Sequence, residues 1–143
     1  MPSIARRNPI GNCPLTAAWA ALGGKWKLTI VYWLAENPRH FAALRRQLNA
    51  VSDGISQKVL AQQLRELVAD GIVMRERTGD VPSPVIYSLT EYGCSALPMV
   101  EIVRRWGEKH IARTRRSVHG ALSCDARIGH WRSTYAQVTR APD

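Results

Sequence analysis

The chain has 143 residues and a formal net charge of +9, from 20 lysines and arginines against 11 aspartates and glutamates. This length suits one domain with a substantial core and is short for two. No stretch approaches the ~20 uninterrupted apolar residues of a membrane span, and residues 1–12 lack the apolar run of a signal peptide. We therefore expect a cytoplasmic protein that does not interact with a membrane.

The positive charge is concentrated in two blocks. Residues 25–78 carry nine basic against five acidic side chains, and residues 101–119 carry six against two. A basic surplus of this kind attracts polyanions such as DNA, RNA or anionic lipid. On charge alone, a basic protein without a polyanionic partner is the alternative.

The sequence lacks the usual signatures of enzymes and metal sites. Its cysteines, Cys13, Cys94 and Cys124, form no C-x-x-C pair, and its four histidines have no metal-binding spacing. It contains no phosphate-binding glycine loop with lysine and no G-x-S-x-G nucleophile motif. We expect neither an enzyme, nor a cofactor, nor a bound metal.

The predicted elements begin after a mobile arm, residues 1–12. Apolar spacing from Leu15 predicts a first helix that Gly23 and Gly24 end. A second helix follows Lys25 and Trp26, is apolar nearly all round, and therefore belongs at the centre of the domain. Asn37 and Pro38 end it.

A helix-turn-helix unit is predicted next. Phe41, Leu44 and Leu48 define a short third helix, and N-A-V-S-D-G, residues 49–54, is turn-like in composition. A fourth helix follows over 56–71, with Ser56 as its cap and Gly71 as its end.

This fourth helix has two predicted faces. An apolar stripe should be buried, and it consists of Leu60, Leu64, Leu67 and Val68. A second face carries amides and cations but no acid, as on a helix that reads a DNA major groove, and it consists of Gln57, Lys58, Ala61, Gln62 and Arg65. A solvated polar face would have a similar composition.

Two strands and a further helix complete the domain. Side chains of residues 72–78 should alternate between the two sides of a strand, with Ile72 and Met74 on one side. Residues 85–89 form a second β-rich run, and the two strands together should make a wing. Thr90 should cap one further helix. One side of this helix should pack against another helix along a seam of residues at helical spacing, which are Tyr92, Ala96, Met99, Val103 and Trp106. Residues 107–119 extend it with a cationic surface, and 120–143 form an extension of uncertain order.

Several spaced motifs resemble the HxlR branch of the MarR-like winged-helix regulators. They are Cys13-Pro14, L-G-G-K-W from Leu22, H-F-A-A-L-R-R from His40, the Ile55–Val73 segment, the Val81–Gly93 segment and Trp106-Gly107. The resemblance implies a mainly α fold with a small β wing (α+β), as a winged helix-turn-helix domain over residues 13–119 with flanking dimerisation helices. It also implies a bacterial homodimer that regulates transcription, which we expect to be a repressor of an inverted-repeat operator in double-stranded DNA. The V-S-D-G turn and the tail beyond His110 depart from the family pattern.

Candidate DNA contacts follow from this interpretation. Base and phosphate contacts are expected from Ser56, Gln57, Lys58, Gln62 and Arg65. Phosphate contacts are expected from Arg39, Arg45 and Arg46, from Arg75 and Arg77 on the wing, and more weakly from Lys25. The alternatives are an ion pair of one of the first three arginines with Glu66 or Asp70, a cross-strand pair for Arg77, and a purely structural Lys25.

Two further predictions concern Cys13 and the dimer. Cys13, at a helix start, is a candidate redox or electrophile sensor, and the alternative is a thiol that only packs at an interface. The expected dimer interface contains Leu15, Trp19, Tyr92, Met99, Val103 and Trp106, although core packing or a pocket for a small-molecule effector would also use such aromatic residues. A basic adaptor that binds RNA or a protein partner is the third functional alternative.

Overall fold

A computed structural model describes residues 13–79 and 84–115, which form six helices and three strands. The helices are α1 (Pro14–Leu22), α2 (Lys27–Glu36), α3 (Phe41–Val51), α4 (Gln57–Ala69), α5 (Glu91–Cys94) and α6 (Leu97–Arg115). The strands are β1 (Arg39–His40), β2 (Val73–Arg77) and β3 (Val85–Leu89). The predictions for the N-terminal arm, for 116–119 and for the C-terminal extension lie outside the described residues.

The described residues fall into two compact units that divide after Arg105. The core lies in the first unit, where α2 and α3 contact each other and β3, and α4 contacts β2. Leu60, Leu64 and Leu67 of α4 are at most 1% exposed, which confirms the predicted stripe, and Val68 is half-buried beside them. Within the described residues, none of the helices combines the length and the hydropathy that a membrane span requires.

The sheet has the order β1-β3-β2, and both pairs are antiparallel. Its β2–β3 pair confirms the predicted wing, with Val73 opposite Leu89 and Arg75 opposite Tyr87. Along β2 only Val73 is buried, while Met74 is 41% exposed. The sequence did not predict β1, because two residues are too few to show alternation.

Helix α3 is longer than predicted. The prediction of a turn from Asn49 onward is wrong for its first part, because the helix continues to Val51. The Ser52 hydroxyl then donates a hydrogen bond to the Leu48 carbonyl oxygen at 2.9 Å, which satisfies an acceptor that the helix end leaves free. The turn between α3 and α4 is correspondingly short.

The single helix predicted after Thr90 is in fact two helices. The Thr90 hydroxyl does accept a hydrogen bond from the Gly93 amide at 2.9 Å, as a cap, but α5 ends at Cys94 and α6 begins at Leu97. Pro98 gives the physical reason, because a continuous helix would set its ring against the carbonyl of Cys94, whereas proline fits the first turn of a new helix. The predicted seam is therefore divided. Tyr92 lies on α5, Ala96 lies between the two helices, and Met99, Val103 and Trp106 lie on α6.

Candidate nucleic-acid interface

Helix α4 presents its polar face to solvent. The Ser56 hydroxyl oxygen accepts a hydrogen bond from the Val59 amide at 3.1 Å, which satisfies a free N–H group at the helix start and confirms the predicted cap. Four of the predicted DNA-binding residues are exposed on this helix: Gln57, Lys58, Gln62 and Arg65. Because the opposite stripe is buried, the core fixes which side of α4 faces outward.

The turn before α4 is held by side chains of α3. The Asn49 side-chain oxygen accepts a hydrogen bond from the Ile55 amide at 2.7 Å, and Arg45 Nε donates to the Ile55 carbonyl oxygen at 3.1 Å. Gly54 has a φ of +98°, in the left-handed region that glycine adopts without strain. Ser52–Gly54 thus form a defined turn, and the backbone of Ile55, which follows it, is bonded to the preceding helix.

The three arginines around α3 have different surroundings. Arg39 lies with Nη2 at 3.0 Å from Glu36 Oε2, and its Nε donates to the Trp33 carbonyl oxygen at 3.3 Å. Arg45 is half-buried and bonded to the turn, while Arg46 is exposed. Arg46 is therefore the member of this group best exposed to a partner.

Two grooves border α4. Arg46 and Gln57 line one, of about 370 Å³, between α3 and the start of α4. Arg65 of α4 and Arg75 of β2 line the other, of about 400 Å³, together with Tyr87. The structure thus brings a cation of the helix and a cation of the wing to one concave surface. Arg77, also exposed, lies two residues farther along β2.

Lys25 lies close to the turn before α4. Its Nζ is 4.9 Å from the centroid of the Trp26 ring and 3.9 Å from Asp53 Oδ2. The Lys25 side chain is 59% exposed and that of Asp53 is 99% exposed. Such an exposed ion pair contributes little to stability. The contact of Lys25 with a phosphate stays a prediction.

Sequence reasoning missed a buried lysine beneath α4. Lys27 is 6% exposed, and its Nζ lies 2.6 Å from Glu66 Oε2. Glu66 Oε1 accepts a hydrogen bond from Gln62 Nε2 at 2.9 Å, and Gln62 Oε1 accepts one from Arg65 Nη2 at 2.7 Å. The face of α4 that was predicted to carry no acid is therefore hydrogen-bonded, through Gln62, to the carboxylate of Glu66 at its edge. A signal was present, because Lys27 shares the helical spacing of Ile30, Val31 and Leu34, all of which are buried.

Cys13 lies at the N-terminal cap of α1 and is exposed. The Thr16 hydroxyl, followed by the backbone amides of Thr16 and Leu15, lowers the pKa of its thiol below the ordinary value of 9.0. Cys94 is also an exposed free thiol. Within the described residues, no group of three or more histidine, cysteine, aspartate or glutamate side chains could hold a metal ion.

Each unit exposes large apolar side chains. In the first unit Leu15 is 82% exposed, Trp19 67% and Tyr92 65%, with Ile102 and Val103 of α6 also exposed. Trp106 and Ile111 are exposed in the second unit, where the Trp106 ring stacks on His110 at a centroid distance of 5.0 Å. The alternative in which Trp19, Tyr92 and Trp106 pack in the core is therefore wrong. Met99 differs, because it is half-buried against the core.

Comparisons with known proteins agree with this geometry. Residues 21–115 match the family model of the HxlR-like helix-turn-helix. An uncharacterized HTH-type transcriptional regulator of Halalkalibacterium halodurans is 41% identical over 102 residues, which cover 71% of this chain and 87% of the relative.

Solved structures give the same result. The redox regulator HypR in its oxidized form is 41% identical with a TM-score of 0.62, over 68% of this chain and 96% of HypR. The reduced transcriptional regulator YodB of Bacillus subtilis is 32% identical with a TM-score of 0.57, over 68% of this chain and 92% of YodB.

Proposed function

Since the chain belongs to the HxlR-like helix-turn-helix family, and its relatives are transcriptional regulators, we propose that it binds double-stranded DNA and represses transcription from a specific operator. The exposed face of α4 is the observation that carries this proposal. It combines two amides and two cations on a capped helix whose opposite side is buried. Glutamine can pair bidentately with adenine, and arginine or lysine with guanine, when such a helix lies in the major groove.

The surfaces beside α4 suit the DNA backbone. Arg46 borders the start of the helix, and Arg75 lies on the wing beside Arg65. Guanidinium groups bind phosphate oxygens without regard to sequence, so these contacts would set the position of α4 in the groove. We therefore assign Arg46, Arg75 and Arg77 to phosphates, and expect the base contacts to come from the exposed face of α4.

We further propose that two copies of the chain form the DNA-binding unit. Leu15 and Trp19 on α1 and Val103 on α6 leave apolar area in water that a second copy would cover. A two-fold dimer presents two identical helices, which read an inverted repeat with half-sites about one helical turn, ~34 Å, apart. Chromatography with light scattering tests this, and a monomer at working concentration would contradict it.

Selection of bound duplexes from a random pool is the main test of DNA binding. We expect an inverted repeat to be enriched, and its affinity to fall steeply with salt because phosphate contacts release counterions. The double variant Gln62→Ala with Arg65→Ala should lose the preference for that repeat. Arg113→Ala, which removes an exposed cation of α6, is the matched control and should keep it.

A second candidate function is a thiol switch on the same DNA-binding domain. It is favoured by the exposure of Cys13 and by the lowered pKa of its thiol, because the thiolate is the reactive species. The similar protein HypR is a redox regulator. In this proposal two Cys13 thiols, one from each copy, lose two protons and two electrons to an oxidant such as diamide and form one S–S bond.

Oxidation of the intact protein tests the switch. Diamide should produce a covalent dimer on a non-reducing gel and change the affinity for the selected duplex, and dithiothreitol should reverse both. Cys13→Ser should abolish both effects, whereas Cys94→Ser should keep them. If diamide-treated protein forms no disulfide and binds DNA unchanged, the proposal of a switch is wrong.

A further inference from the structure

The ion pair beneath α4 joins two elements. Lys27 belongs to α2 and Glu66 to α4, and their charged atoms are 2.6 Å apart with Lys27 6% exposed. A charge is costly to bury unless it is paired, so the position of Lys27 constrains where the Glu66 carboxylate can lie. The pair therefore fixes one oxygen of Glu66 against the core.

The second oxygen of Glu66 bonds to the exposed face of α4. Glu66 Oε1 accepts from Gln62 Nε2 at 2.9 Å, and Gln62 Oε1 accepts from Arg65 Nη2 at 2.7 Å. A carboxylate only accepts hydrogen bonds, and a guanidinium only donates them. The nitrogen of the Gln62 amide must therefore face Glu66, and its oxygen must face Arg65. Both neighbours disfavour the flipped amide.

The other two candidates on this face are not held in this way. Within the described residues, the structure contains no side-chain hydrogen bond or ion pair for Gln57 or Lys58, which lie in the first turn of α4. The free amides of a helix start and a lysine suit phosphate oxygens. A base edge, in contrast, is recognised best by groups whose donors and acceptors already have a fixed order.

On the premise that α4 binds DNA as proposed above, we propose that Gln62 is the residue that reads an adenine, and that Lys27 and Glu66 are positioning residues for its amide. The ion pair orders the donor and acceptor of Gln62 before DNA binds. Arg65, held by the same amide, reads the neighbouring base or phosphate. Lys27 itself does not touch DNA, since its side chain is buried beneath α4.

Discrimination between duplexes tests this proposal. The selected operator and its single base-pair variants are titrated at one salt concentration with the wild type, with Gln62→Ala and with the doubly neutral Lys27→Met with Glu66→Met, which leaves no oxygen at position 66 to accept from the Gln62 amide. The double variant leaves no unpaired buried charge. Both variants should lose about tenfold discrimination at the same A·T pair, which lies within the range of one bidentate contact. Affinity for non-operator duplex and its salt dependence should change by less than about twofold, because phosphate contacts remain.

Glu101→Gln is the matched control, because it removes an ion pair with Arg105 on α6 and should keep full discrimination. A folded double variant that still discriminates at that pair overturns the positioning role, and loss of discrimination with Gln57→Ala but not Gln62→Ala overturns the assignment of the base contact. A wild type that prefers no duplex overturns DNA reading itself, and this inference with it.

A measurement on the wild type alone covers the case in which the double variant does not fold. Nuclear magnetic resonance of the side-chain amides should show the Gln62 amide more ordered than the Gln57 amide in the free protein. Equal mobility of the two amides would overturn the ordering of Gln62.

Discussion

Gly93 of α5 lies directly against the backbone carbonyl oxygen of Ile72, the residue that precedes β2. A Cβ placed on Gly93 would overlap that oxygen. The neighbouring Thr90 hydroxyl contacts the Gly71 carbonyl oxygen at 2.5 Å, so α5 begins against the chain that leaves α4. This close approach joins the end of the proposed DNA-binding helix to the segment that leads into α6.

We predict that Gly93→Ala destabilises the fold. The added methyl group must move the backbone at Ile72, and overpacking of this kind costs about 1–3 kcal/mol. Gly107→Ala is the control, because a Cβ there meets no atom within 4 Å and alanine favours a helix over glycine by about 0.5–1 kcal/mol. Urea unfolding of both variants measures the difference, and equal stability of the two would contradict the close approach.

Substitution of Ser56 separates helix capping from DNA binding. Ser56→Ala removes the hydrogen bond to Val59 and should lower the free energy of unfolding by about 1 kcal/mol. Ser56→Asp keeps a capping oxygen and adds a negative charge at the helix start, so stability should be kept or slightly raised. Because that charge would face phosphate, we expect Ser56→Asp to weaken operator binding by about tenfold or more. A stable Ser56→Asp protein that binds the operator unchanged would place α4 away from DNA.

The Glu101 cluster predicts a pH dependence confined to acid. Hydrogen bonds from Arg104, then from Arg105, lower the pKa of Glu101 from 4.5 to about 2. Because the folded pKa is the lower one, the stabilisation is present above pH 4.5 and disappears as the pH falls toward 2. Glu101→Gln should therefore unfold at a lower temperature than the wild type at pH 7, and at the same temperature near pH 2. The difference is small, since these groups are exposed, and a gap that widens in acid would contradict the assignment.

The reactivity of Cys13 should depend on Thr16. The Thr16 hydroxyl is the largest cause of the lowered thiol pKa, so Thr16→Val should move that pKa back toward 9.0. In a chain with Cys94→Ser and Cys124→Ser, the rate of alkylation by iodoacetamide is followed from pH 6 to 10. The wild-type Thr16 background should reach half of its maximal rate at the lower pH. Superimposed profiles would show that the hydroxyl has no effect on the thiolate.

The features that the sequence predicted correctly depend on neighbours close in the chain. The burial of Leu60, Leu64 and Leu67 follows from helical spacing, and the Ser56 cap from a local side-chain preference. The division between α5 and α6 was missed, although its signal is equally local, because Pro98 stands where a continuous helix would need an N–H group.

Other features depend on residues that only the fold brings together. The pairing of Arg39 with Tyr87 joins a two-residue strand to a distant partner, and no pattern within two residues indicates it. Lys27 could be recognised as a lysine on an apolar stripe, but its partner Glu66 follows only from how α2 packs near α4. The order of the Gln62 amide depends in turn on that partner.

The short strand β1 has a consequence for the behaviour of the protein at high concentration. It covers the side of β3 opposite β2 at Ile86 and Tyr87, so the middle of the most apolar strand has no free edge there. The outer strand β2 carries charged side chains at Arg75, Glu76 and Arg77. Exposed apolar edges promote association between sheets, whereas charged edges oppose it. The wing should therefore resist strand addition from another molecule and the aggregation that such addition starts.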